Sequence, residues 1–96
     1  MSEVSGGIEF DWDARNTRRL KNHRVTTDEF EELMTGDPVY LEYQARNDEE
    51  RYKVLGVTKT GRVLIGVWMQ REGKVRAVTA YAASRAYRNL YWETHG

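Results

Sequence analysis

Arg51 and Arg62 open the two strands of EERYKVLGVTKTGRVLIGV (residues 49–67), and Lys53, Lys74 and Arg76 add three more cations within or beside strand-like runs. A guanidinium stays charged and meets a phosphate through paired hydrogen bonds, so such a set points to an anionic partner. The charge distribution agrees. The formal total is zero, yet residues 1–50 hold thirteen acids against six Lys or Arg, and residues 51–96 hold two acids against nine. A basic half is the usual footprint of nucleic acid, whose phosphates attract Lys and Arg regardless of sequence. The alternative is that the two halves neutralise each other across one small domain.

Alternation along strands sorts these cations onto faces. In KVRAVTA (74–80), Lys74 and Arg76 are expected to share a face with Val78 and Ala80. In RYKVLGV (51–57), Arg51 and Lys53 stand opposite Tyr52 and Val54, and in RVLIGVWM (62–69), Arg62 shares its face with Leu64 and Trp68. Register decides whether Arg51, Lys53, Arg62, Lys74 and Arg76 form one cationic surface with Trp68 beside it, and alternation alone leaves register open. Arg76, a charge flanked by Val75 and Ala77 in mid-strand, needs a partner or a purpose.

Other chemistries find little support. Two histidines, His23 and His95, with no cysteine and no HExxH spacing argue against zinc. The lack of a phosphate-binding Gly loop argues against a nucleotide enzyme, and no nucleophile elbow is present; no cofactor is expected. Without cysteine there is no disulfide framework. No apolar run approaches the roughly 20 residues that cross a bilayer, and MSEVSGGIEF lacks the basic start and apolar core of a signal peptide. The expectation is a cytoplasmic protein with no membrane partner.

The elements that must position these side chains fit one domain, residues 1–96, with residues 1–7 read as a flexible N-terminus. Ile8, Phe10 and Trp12 alternate with Glu9 and Asp11, the period of a short half-buried strand. Asp13 is placed to cap a helix running to about His23, with Leu20 on a narrow apolar stripe and Arg15, Arg18 and Arg19 mostly off it. Thr26 and Glu29 have capping-box spacing, Val25 and Phe30 fit a hydrophobic staple, and Phe30, Leu33 and Met34 form a second buried stripe. Gly36, Asp37 and Pro38 end that helix. Four strands follow, VYLEY (39–43), 51–57, 62–69 and 74–80, joined by turns short enough to imply an antiparallel meander. AASRAYRNLYWE closes the chain with Ala83, Ala86, Tyr87, Leu90 and Tyr91 at helical spacing. The predicted class is α+β: an antiparallel β-sheet with two N-terminal helices and one C-terminal helix.

FDWD (10–13), LKNHRV (20–25), EERYKVLGV, GRVLIGVW, KVRAVTA and a closing helix with Tyr91 together resemble the BrnT family of bacterial toxins over about residues 8–92. The resemblance implies a RelE-like fold and an endoribonuclease that blocks translation by cleaving RNA. It also implies neutralisation by a BrnA-like antitoxin, with DNA bound only indirectly through that antitoxin. The chain departs from the usual family pattern in having Asn22 and Arg24 around His23, Thr79, Ala80 and Tyr81 after the strand of Arg76, and Tyr87 in the last helix.

Metal-independent RNA cleavage needs a base for the ribose 2′-OH, cations for the developing phosphorane charge and an acid for the leaving oxygen. Arg51 and Arg76 suit charge stabilisation. His23 or Glu50 suits the base, with Tyr91 or Arg62 assisting, and Trp12 or Trp68 could stack an unpaired base. Each has a structural reading: Trp12 as core, His23 as a favourable charge at a helix end, Arg51 and Glu50 as surface ion pairs. The departures carry the alternative function, a catalytically inactive relative that binds protein or nucleic acid.

Overall fold

Helix α1 (Ala14–Asn22) starts where the Asp13 carboxylate accepts the Asn16 backbone N–H while the Asn16 side chain accepts the Asp13 N–H, both at 2.9 Å. Helix α2 (Thr27–Thr35) starts with the expected capping box: Thr26 and Glu29 exchange side-chain and backbone hydrogen bonds at 3.0 Å. The staple pair Val25 and Phe30 is buried in the same core. These data come from a computed structural model describing residues 7–95, Arg46 through its backbone alone. All but Gly7 of the segment expected to be flexible lies outside the described residues.

Four antiparallel strands follow in spatial order: β1 (Val39–Arg46), β2 (Glu49–Val57), β3 (Val63–Arg71) and β4 (Lys74–Ala82). Two hairpins turn on consecutive residues with positive φ, Asn47 and Asp48 at 51° and 65°, then Glu72 and Gly73 at 54° and 79°. That is the geometry matching strand twist in two-residue loops. Helix α3 (Arg85–His95) ends the described chain. Two helices thus precede the sheet and one follows it. No described helix is long and apolar enough to cross a membrane.

The strand expected at residues 8–12 is reduced to one parallel bridge, Phe10 beside Val75. Val75 donates to Glu9 O and Asp11 donates to Val75 O, each at 2.8 Å. The chain then turns at the Asp13 cap into α1, which stops the pairing.

Both faces of the sheet are used. Leu20, Val25, Phe30, Leu33 and Met34 from the α1–α2 region pack on Val54, Leu64, Ala77 and Ala80. On the other face, Ala83 and Tyr91 cover Leu55, Val63 and Ile65. Helix α2 approaches the first face closely: a Cβ on Gly56 would stand 2.9 Å from the Leu33 carbonyl oxygen, and one on Gly66 would stand 3.1 Å from the Phe30 ring.

A bulge in β4 corrects one expected face. Trp68 pairs with Ala77 and Val67 with Thr79, so Val78 is the extra residue and alternation restarts after it. Ala77 and Ala80 therefore both reach the α1–α2 core, while Arg76, Thr79 and Tyr81 fall on the opposite face. Arg76 does not share a face with Ala80.

Candidate nucleic-acid interface

Helix α3 covers only the half of its face built on Leu55, Val63 and Ile65. On the other half, register sets two cross-strand rows. One is Gln44, Arg51, Met69 and Arg76; the next is Glu42, Lys53, Val67 and Thr79. Arg51 and Arg76 flank Met69 from the two neighbouring strands, with Cα atoms about 10 Å apart at ordinary strand spacing. Two open grooves meet here. The larger, about 440 Å³, is walled by Arg15, Arg19, Arg51, Arg71 and Arg76 with the single carboxylate Glu49. The second, about 290 Å³, shares Arg51 and Val78 with it and adds Lys53, Glu42 and Tyr81.

Two of the five arginines are already neutralised. Arg51 pairs with Glu49 at 3.0 Å. Arg76, its side chain 11% exposed, meets Asp13 at 2.8 Å and Asp11 at 3.5 Å. Asp13 is thereby bound twice, as the cap of α1 and as the partner of Arg76. The Asn16 backbone N–H, then the Arg76 guanidinium, hold its carboxyl below the ordinary aspartate value against the opposing effect of burial. Lys53 stands 3.9 Å from Glu42. Arg15, Arg19 and Arg71 form no ion pair with any carboxylate among the described residues.

Of the residues singled out from sequence, Arg51, Arg76 and Lys53 come together on this face. Lys74 lies opposite Arg71 at the hairpin end of the same face, exposed and outside the groove wall. His23 is the exposed residue ending α1, its ring 6.0 Å from that of Tyr81. The remaining residues are elsewhere. Arg62 adjoins Val63, six positions along β3 from Met69 and hence about 20 Å away. There its guanidinium donates to both Glu29 oxygens, at 3.0 and 2.9 Å, and to Arg24 O at 3.0 Å.

Glu50 points to the α1–α2 face, where it accepts the Tyr52 hydroxyl at 3.2 Å. Trp68 is on that face too, stacked on Tyr52 at 4.5 Å. Trp12 packs among Phe10 and Phe30 and donates to Glu31 at 2.7 Å. Tyr91 is buried beneath α3 against His95; burial first, and Asp37 second, push its phenol up. None of these four lines either groove.

Sequence reasoning passed over Arg15, Arg19, Arg71 and Glu49. One signal was present: Arg15, Arg19 and His23 recur every four residues and form one stripe of α1. Off the narrow apolar face they read as solvated charges. Only the docking of α1 along β4, where Arg19 donates to Val78 O at 3.4 Å, turns that stripe toward the groove.

These features define a class: a small α+β domain whose uncovered sheet face gathers guanidinium groups, the side chains suited to phosphate. A family model described as ribonuclease toxin, BrnT, of type II toxin-antitoxin system matches residues 12–86, and the chain belongs to that family. Membership implies a ribonuclease toxin, an RNA target and an antitoxin partner. No curated protein matches the chain.

Proposed function

We propose that the domain is a metal-independent endoribonuclease toxin that cleaves single-stranded RNA on the face of Arg51 and Arg76, stopping translation in the cytoplasm. The observation that carries this reading is the pair of guanidinium groups flanking Met69 on the uncovered half of the sheet. Two forks on one face, from the strands on either side of β3, suit the equatorial oxygens of a phosphorane. Glu49, 3.0 Å from Arg51 and on the same wall, takes the 2′-OH proton in place of Glu50. The 2′ oxygen attacks phosphorus and the bond to the 5′ oxygen breaks. That oxygen takes the proton of the Tyr81 hydroxyl, which lines the adjoining groove, and the phenolate is reprotonated from solvent. The products are a 2′,3′-cyclic phosphate and a 5′-hydroxyl end.

In this reading the arrangement is RelE-like, and a BrnA-like antitoxin neutralises the toxin by covering the basic face, contacting DNA itself. A second reading has its own support: Arg51 and Arg76 are each satisfied by carboxylates, and no imidazole lines the larger groove. That favours a binding module which holds RNA without cutting it.

Incubation with single-stranded RNA in chelator, beside Arg51→Ala and Arg76→Ala, separates the two. Each variant is expected to cleave about 10²- to 10³-fold more slowly than wild type, the usual effect of removing one charge-stabilising donor. RNA bound by folded wild type but never cut would replace the enzyme with the binding module.

A further inference from the structure

The arginines that best suit the reaction are those whose charge is already cancelled, and those left uncancelled stand beside them. Arg51 faces Glu49, and Arg76 faces Asp11 and Asp13. Arg15 and Arg19, one turn apart on α1, and Arg71, near the end of β3, line the same groove with no carboxylate partner among the described residues. All three are exposed. Long-range attraction for a polyanion follows uncompensated charge, whereas local phosphate geometry follows the placement of rigid, paired groups. The Asp13 cap ties the two sets together, because the carboxylate that starts α1 also grips Arg76.

We propose that Arg15, Arg19 and Arg71 form a phosphate track that holds the single-stranded RNA next to the Arg51–Arg76 pair. The track governs affinity and its salt dependence; the pair governs the rate of the bound complex. Only this kinetic division rests on the ribonuclease reading; the track itself is a statement about binding.

The test replaces all three with glutamine, Arg15→Gln, Arg19→Gln and Arg71→Gln, which keeps the stems and the helix. Because the side chains are exposed, the melting temperature and far-ultraviolet circular dichroism should stay as in wild type. Binding is measured by fluorescence anisotropy with an unpaired 2′-O-methyl RNA oligonucleotide, which lacks the attacking hydroxyl and cannot be cleaved this way. Each phosphate contact on a single strand contributes about 0.7 to the slope of log K against log salt, so the variant should be shallower by about 2. Wild type should then lose about 16-fold more affinity than the variant across a fourfold rise in salt, the fold-change that this slope difference gives.

In cleavage assays the triple variant should raise KM and leave kcat at saturating RNA unchanged, while Arg76→Gln does the reverse. An unchanged salt slope in the triple variant would overturn the track. So would a loss of kcat equal to the loss of kcat/KM. If wild type binds the oligonucleotide with the steep slope, the variant flattens it and neither cuts RNA, the track stands and the ribonuclease reading falls.

Discussion

Arg62 is the cation for which sequence and structure disagree most about purpose, and Arg62→Ala separates the two accounts. Its guanidinium reaches both oxygens of Glu29 and the carbonyl of Arg24, fastening the start of α2 to the start of β3. The Arg62 side chain is 38% exposed and that of Glu29 19%, so the pair lies between two regimes. Exposed pairs contribute about 0–1 kcal/mol, and hydrogen bonds to charged groups about 1.5–3 kcal/mol. A loss of about 1–1.5 kcal/mol follows, which in a domain of this size lowers the melting temperature by about 4–12 °C.

The effect also has a pH signature. Burial alone would raise the Glu29 carboxyl, but the Thr26 backbone N–H and then Arg62 outweigh it and hold it below its ordinary value of 4.5. A depressed carboxyl stabilises the fold above its unfolded value and loses that contribution as pH falls through the folded one. Wild type and variant should therefore differ most near neutrality and converge on acidification below 4.5. Differential scanning calorimetry across pH, beside oligonucleotide binding at neutral pH, gives the comparison. Unchanged melting together with weakened RNA binding would refute the fastening role and return Arg62 to the RNA surface.

Three further outcomes are expected. Gly56→Ala forces a methyl group against the backbone of Leu33 and should cost about 1–3 kcal/mol, read as a lower urea midpoint. His95 places one ring nitrogen 2.9 Å from Tyr91 O and the other 2.8 Å from Asp37 O, with the Asp37 carboxylate at 3.3 Å. The Tyr91 carbonyl first, then Asp37, raise it above 6.5 against burial. Its stabilisation is thus full below 6.5 and fades as pH rises through the raised value, so His95→Gln should lower the melting temperature more in acid than in alkali. Glu49→Gln should slow single-turnover cleavage about 10²- to 10⁴-fold, the usual worth of a positioned base. Glu50→Gln, on the opposite face, should leave the rate unchanged.

Local rules carried the elements. Asp13 and Thr26 cap helices because a short acceptor satisfies free N–H groups wherever helical periodicity follows, and both caps are in place. Asn47–Asp48 and Glu72–Gly73 turn hairpins of the expected meander. That Arg76 needs a partner was likewise legible, since a charge between Val75 and Ala77 stands out without any coordinates, and Asp11 and Asp13 supply one.

Composition in space was not legible, because it depends on register and docking. The single extra residue Val78 reverses which side of β4 each later side chain takes, and alternation has no means of signalling a bulge. Glu49 and Glu50 differ by one position and so lie on opposite faces, which decides which carboxylate meets Arg51. Arg15 and Arg19 join the groove only because Leu20 docks α1 against β4, and Arg62 leaves it because Glu29 arrives from α2. By itself the sequence determined the three helices, the four strands of the meander, their order and the basic character of the second half, since those follow from neighbours along the chain. Tertiary structure alone decided which cations share a face and which are already cancelled, since those follow from neighbours in space.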